Sequence, residues 1–173
     1  MQFQGVQDTI AAIKALEDVA KEQITQHADD KEDIQDALYQ AIKDIINSNN
    51  PKDDLNNGID KINGTHTDKV KDQAAKDIKE TAAQAKERIQ NSGLSEDEQK
   101  QYLDDIDQVV AAATVTTGDT SKSIYGTDND EIINKRKATA KSLINKAAAK
   151  AEIVGYTRGY ENVLGQVEKP KPP

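Results

Sequence analysis

The sequence predicts an all-α fold in which three-helix bundles follow one another end to end as an elongated rod. Three observations lead there. Apolar residues recur at steps of three and four, with no sustained alternation of the kind a strand requires. A stretch of the chain returns about 65 residues later. The apolar supply is thin: 35% apolar against 31% charged residues, with one Phe and no Trp, is too little to fill the centre of a large globule.

The repeat organises the rest of the chain. Ile13 to Ile24 aligns without a gap on Ile78 to Ile89, a shift of 65 (78 − 13), and matches at Ile, Lys, Ala, Lys, Glu and Ile. A third copy of the Ala-Lys-x-x-Ile core runs from Ala149 to Ile153, shifted by 64 (149 − 85). A second landmark, Ile62-Asn63-Gly64-Thr65, resembles Ile124-Tyr125-Gly126-Thr127 at a shift of 62 (124 − 62). The expected organisation is a first repeat at 6–66, a second at 67–126, and a segment 127–167 that either starts a third repeat or closes the second bundle. Residues 168–173 form a Pro/Lys tail that favours an extended conformation.

Taken in order, Ile10, Ile13, Leu16, Ala20 and Ile24 make the first apolar stripe. Ile34, Leu38, Ile42 and Ile45 make the second, with Asp29 and Glu32 as a weak capping pair. Asn50-Pro51 opens a third helix carrying Leu55, Ile59 and Ile62, which Asn56-Asn57-Gly58 weakens. In the second unit Ile78, Ala82, Ala85 and Ile89 repeat the first stripe, and Asn91-Ser92-Gly93 ends that helix on a glycine able to turn left-handed. Ser95 with Glu98 is a capping box, followed by Tyr102 or Leu103, Ile106, Val109 and Ala113. Thr114 to Thr127 reads as a loop with at most one helical turn, and Thr127 or Asp128 caps a helix from about Glu131. Alanine-rich faces bury little area, so a helical hairpin needs a third helix or the next repeat to cover it. Such a chain lengthens by adding copies, which suits a spacer better than a catalyst.

Composition excludes several functions. A net charge of −8 disfavours nucleic acid and anionic membranes as partners. Without cysteine there are no disulfides and no thiolate chemistry. No run of about 18 apolar residues is present for membrane insertion. Met1-Gln2-Phe3-Gln4-Gly5 lacks the basic and apolar regions of a signal peptide, so an exported parent would make this an internal piece. His27 and His66 stand far apart in the chain without a Glu-x-x-His pair, and no metal site is expected from them. Asp128-Asn129-Asp130-Glu131 lacks the spacing of a calcium loop. Asp29-Asp30 and Asp53-Asp54 read as charges favoured at helix N-termini, and Asn63-Gly64-Thr65 as a turn followed by a cap. No catalytic, cofactor or phosphate-binding motif is present. The one aromatic and charged cluster is Tyr156, Arg158 and Tyr160, residue types that anchor protein partners.

These residues also carry a family resemblance. The run Asn57 to His66, then Lys71 to Ile78 and Ala85 to Ile89, resembles the DUF1542-type repeat of large wall-anchored proteins of staphylococci and lactobacilli. So do Leu94 to Glu98 and Ile106-Asp107. The resemblance implies spectrin-like three-helix bundles in a stalk that supports adhesion, aggregation or biofilm, outside the cell and attached to its wall as part of a longer, monomeric protein. It implies no catalytic residue and no cofactor. This chain departs from the pattern in its shorter spacing and in Thr114 to Gly126. The alternative is a three-helix module that captures a host extracellular protein (fibronectin, albumin or immunoglobulin) or a neighbouring surface protein.

Overall fold

The computed structural model describes residues 5–168, and among these every regular element is helical. The Pro/Lys tail beyond Glu168 lies outside the described residues. The chain divides into two compact units, one up to Lys69 and one from Val70 onward.

The first unit holds α1 (Val6–Gln26), a 3-10 turn at Ala28–Asp30, α2 (Lys31–Ile46) and the beginning of α3 (Pro51–Gln90). Its core is small. Leu16 of α1, Ile34 and Ile45 of α2 and Ile62 of α3 are its fully buried large side chains, and Ala12, Ala20 and Ala41 fill between them. The sequence stripe of α1 is therefore rotated: Ile10 is 47% exposed, and Ala12 lies inside in its place. Alanine brings the helix axes close enough for Leu16 to reach both partners, which a bulkier residue at position 12 or 20 would prevent. The expected Asp29–Glu32 cap does not form. Asp30 occupies the N-cap of α2 and makes no side-chain cap bond.

α3 runs unbroken for 40 residues through both the Asn56-Asn57-Gly58 and the Asn63-Gly64-Thr65 stretches. The turn expected at Asn63 is absent because the apolar spacing of Ile59, Ile62 and Val70 holds the helix, and burying Ile62 outweighs the roughly 1 kcal/mol a helical glycine costs. Thr65 Oγ1 bonds back to the Lys61 carbonyl at 2.8 Å instead of capping. Gly58 is not merely a weak point. A Cβ built on it would lie 2.9 Å from Ala41 Cβ and 3.0 Å from Leu16 Cδ2, so its missing side chain is what lets α2 and α1 approach α3.

The second unit uses the rest of α3 with α4 (Glu96–Thr114) and α5 (Asp130–Glu168). Its core takes Ile78, Ala82, Ala85 and Ile89 from α3, Ile106 and Ala113 from α4, and Ile133, Ile144, Ala148 and Ala151 from α5. The first part of α5 thus closes this core. Gly93 (φ 86°) makes the α3–α4 turn. Ser95 Oγ accepts from the Glu98 N–H and Glu98 Oε1 from the Ser95 N–H, both at 3.2 Å, completing the capping box. The loop 115–129 contains one 3-10 turn, Ile124–Gly126, and plugs Ile124 into the core. Ser123 anchors it: its hydroxyl donates to the Val115 carbonyl at 2.6 Å, and Arg136 donates to the Ser123 carbonyl at 2.8 Å. The cap of α5 falls later than Thr127 or Asp128, on Asn129, whose side chain accepts from the Ile132 N–H at 3.1 Å. Asp128 is instead drawn to Lys71 Nζ at 2.7 Å.

The second sequence landmark does not repeat locally. Ile62 to Thr65 lies inside α3, whereas Ile124 to Thr127 lies in the loop. The first landmark repeats better. At a shift of 65, Leu16 and Ala20 of α1 fall on Thr81 and Ala85 of α3, and all four are buried.

Candidate functional site

The residues singled out for partner binding lie on the later turns of α5. Tyr156 is 77% and Tyr160 57% exposed, and with Ile153 and Val163 they form an exposed stripe at helical spacing, 153, 156, 160, 163. Arg158 points elsewhere: its guanidinium pairs with Glu98 in the first turn of α4. It therefore ties α5 to α4 rather than joining the two tyrosines. Gly155 makes this crossing possible, since a Cβ there would fall on the Ser92 carbonyl oxygen.

A second feature of the same unit is an open groove of about 960 Å³ between α4 and α5. Val109, Ile132 and Leu143 line it with apolar surface, and Lys122, Lys135, Arg136, Lys146 and Lys150 line it as cations. Asp105 is its one carboxylate, so the groove offers no pair of carboxylates for acid–base work.

The densest polar cluster is in the first unit, where the chain's two histidines meet. His27 sits at the corner between α1 and the 3-10 turn, and His66 is well inside α3. Their rings stack with centroids 3.7 Å apart and planes 5° from parallel. Asp30 lies against them, with its Oδ2 2.6 Å from His66 Nδ1. Its Oδ1 takes Lys69 Nζ at 3.1 Å, and Lys69 also reaches Asp33 at 3.0 Å. The Asp30 side chain is only 9% exposed. The hydrogen bond from His66 holds its carboxyl below the usual aspartate range; burial opposes this, and Lys69 adds to it. Lys69, held by Asp33 and then Asp30, is raised above the ordinary lysine value.

The sequence reads Asp30 as a charge favoured at a helix N-terminus. In the fold the carboxylate turns away from its own helix toward α3. The sequence also keeps the histidines apart, because separation along the chain says nothing about two helices that pack side by side. Their meeting is hidden for a second reason: the expected turn at Asn63, just before His66, does not exist. Only a continuous α3, with Ile62 buried and Ile59 half-buried on the same face, could put His66 opposite the α1–α2 corner. Among the described residues, His27, Asp30 and His66 are the one group of three or more metal-ligating side chains whose ligand atoms lie close together, all within 4.8 Å of one another.

Comparisons with protein-family models, with curated proteins and with solved structures return no match.

Proposed function

We propose that this chain is a pair of tandem three-helix repeats from the stalk of a bacterial cell-surface protein, acting as a spacer that supports adhesion, aggregation or biofilm. The observation that carries the reading is the dual use of α3. One 40-residue helix supplies Ile62 to the first core and Ile78, Ala85 and Ile89 to the second. In that arrangement a unit needs no linker to its neighbour, and its stability becomes a local bundle term plus a neighbour term. The gap-free shift of 65 between α1 and the later half of α3 supports the same reading, as does the resemblance to DUF1542-type repeats. No helix among the described residues is long and apolar enough to cross a membrane. Small-angle scattering tests the proposal. A rod gives a radius of gyration well above the roughly 16 Å of a compact chain of this length, and a value near 16 Å overturns it.

A second reading, capture of a host extracellular protein, is favoured by the exposed stripe Ile153, Tyr156, Tyr160 and Val163. Aromatic residues at helical spacing are the usual anchors of helix-mediated recognition. Surface plasmon resonance against fibronectin, albumin and immunoglobulin tests it. Saturable binding lost in the Tyr156→Ala, Tyr160→Ala double variant supports capture, and no binding to any of the three refutes it.

A further inference from the structure

We propose that His27, Asp30 and His66 form a binding site for one divalent transition-metal ion of the zinc, nickel or copper class, pinning the α1–α2 corner to α3. The inference is independent of the stalk reading.

Two imidazole nitrogens and one carboxylate oxygen suit borderline ions such as Zn²⁺, Ni²⁺ and Cu²⁺, whereas Ca²⁺ and Mg²⁺ call for oxygen ligands throughout. The chain has two histidines in 173 residues, and both are in this cluster. They come from different helical elements, the corner after α1 and the middle of α3, so no local repeat or helical spacing brings them together.

The three ligand atoms lie within 4.8 Å of one another. In a four-coordinate site with bonds of 2.0–2.1 Å, neighbouring ligand atoms are about 3.3 Å apart, so the widest pair closes by at most about 1.5 Å, and the 2.6 Å hydrogen bond between His66 Nδ1 and Asp30 Oδ2 opens if those two atoms bind the ion. Side-chain rotation can supply this. The parallel stack sends the two rings' in-plane lone pairs side by side instead of toward one point, so the rings tilt apart as they bind. His27, at a helix end, is the ring placed to move. Asp30 gains most from the ion. Its carboxylate is only 9% exposed and already held by cationic Lys69, and a divalent cation at Oδ1 would take over the role Lys69 fills. His66 and His27 are half-buried, which leaves a side open for water to complete the coordination.

The test is titration calorimetry of the full chain, free of any histidine tag, with zinc chloride. One ion per chain, bound saturably, is expected, with no comparable heat from calcium chloride. His27→Asn, His66→Asn and Asp30→Asn should each weaken binding by about tenfold or more. Circular dichroism of each variant checks that it is still helical. Electron paramagnetic resonance of the wild-type chain loaded with one equivalent of Cu²⁺ does not depend on any variant folding, and it should show coupling to nitrogen. A zinc titration that does not saturate, histidine variants that bind like wild type, or a copper signal from oxygen ligands alone overturns the proposal.

Discussion

Gly58 and Gly64, both inside α3, should respond differently to the same substitution: alanine stabilises at 64 and does not at 58. In an open helix interior, Gly→Ala stabilises by about 1 kcal/mol, because alanine loses less backbone freedom on folding. Gly64 is such a position. The nearest atom to a new Cβ would be Asp68 Oδ2 at 3.9 Å, an ordinary contact. At Gly58 the new methyl would meet Ala41 Cβ at 2.9 Å and Leu16 Cδ2 at 3.0 Å. Carbon atoms prefer about 3.5–4.0 Å, so roughly 0.6 Å or more must be found. Leu16 can yield by rotating, but the Ala41 Cβ is fixed to the backbone of α2, so α2 itself must move. Overpacking of this kind costs about 1–3 kcal/mol. Set against the propensity gain, Gly58→Ala comes out neutral to about 2 kcal/mol destabilising.

Because the chain holds two cores, a single melting curve does not isolate the first. Native-state amide exchange across α1, α2 and the start of α3 does, since each kcal/mol of opening free energy changes the rate about fivefold. Gly64→Ala should slow exchange there by about fivefold, and Gly58→Ala should leave it unchanged or speed it. Ala41→Gly should relieve the clash, so that the Gly58→Ala, Ala41→Gly pair is more stable than the two single effects add up to, by about 1 kcal/mol or more. Equal stabilisation by both glycine replacements, or strict additivity with Ala41→Gly, would refute the claim that Gly58 sets the distance between the helices.

Three further outcomes are expected. Ser95→Ala removes the side-chain half of the capping box and should destabilise the start of α4 by about 1 kcal/mol, read as faster exchange of the Glu98 amide; Ser95→Asp should restore it. Ile106→Ala empties a fully buried site in the second core and should cost about 2–5 kcal/mol, measured by urea unfolding. Tyr125 should ionise above the ordinary tyrosine value near 10, because burial and then the Asp72 carboxylate beside its hydroxyl raise it. A raised folded-state value means the neutral phenol contributes stability that is complete below about pH 10 and is lost as the pH climbs through the folded value. Ultraviolet titration of phenolate, with Tyr125→Phe removing a late-ionising component, checks this.

What the sequence reveals and what it hides divide along a physical line. Helix periodicity, the Ser95 capping box and the Gly93 turn are legible because each depends on residues within a turn or two of one another. The same holds for the loop after Thr114. The failures involve contacts between elements. Ile10 belongs to the expected stripe but faces out, because the α1 core face is set by how closely Ala12 and Ala20 let α2 and α3 approach. Local chemistry favours a turn at Asn63, and the burial of Ile62 in the first core overrides it. The candidate metal cluster is invisible for the same reason. His27, Asp30 and His66 share no spacing, and their meeting depends on α3 being continuous at His66. Arg158 reads as a companion of Tyr156 and Tyr160, but its partner Glu98 lies in a different helix, which no local pattern around Arg158 reveals.

The thin apolar supply also explains where these cores put their precision. A core built from large side chains tolerates a missing methylene better when neighbours can relax into the space. Here the large residues are few. Among the described residues of the first unit, Leu16, Ile34, Ile45 and Ile62 are the large side chains that are fully buried; Ala12, Ala20, Ala41 and Gly58 pack between them, and larger residues such as Leu38, Ile42 and Ile59 are only partly buried around them. Small residues give little transfer energy, about 25 cal/mol for each Å² removed from water. Their contribution is to bring the backbones together, so that the few isoleucines are enclosed on every side and every atom of the interface gains dispersion contacts. Stability in such a bundle therefore depends on helix separation more than on apolar area, and that separation is set at positions 12, 20, 41 and 58. The same close approach puts the α1–α2 corner against the middle of α3 and forces His27, Asp30 and His66 into contact. The cluster follows from a spacing that Gly58 and the alanines impose, so any substitution that widens it should separate the imidazoles as well.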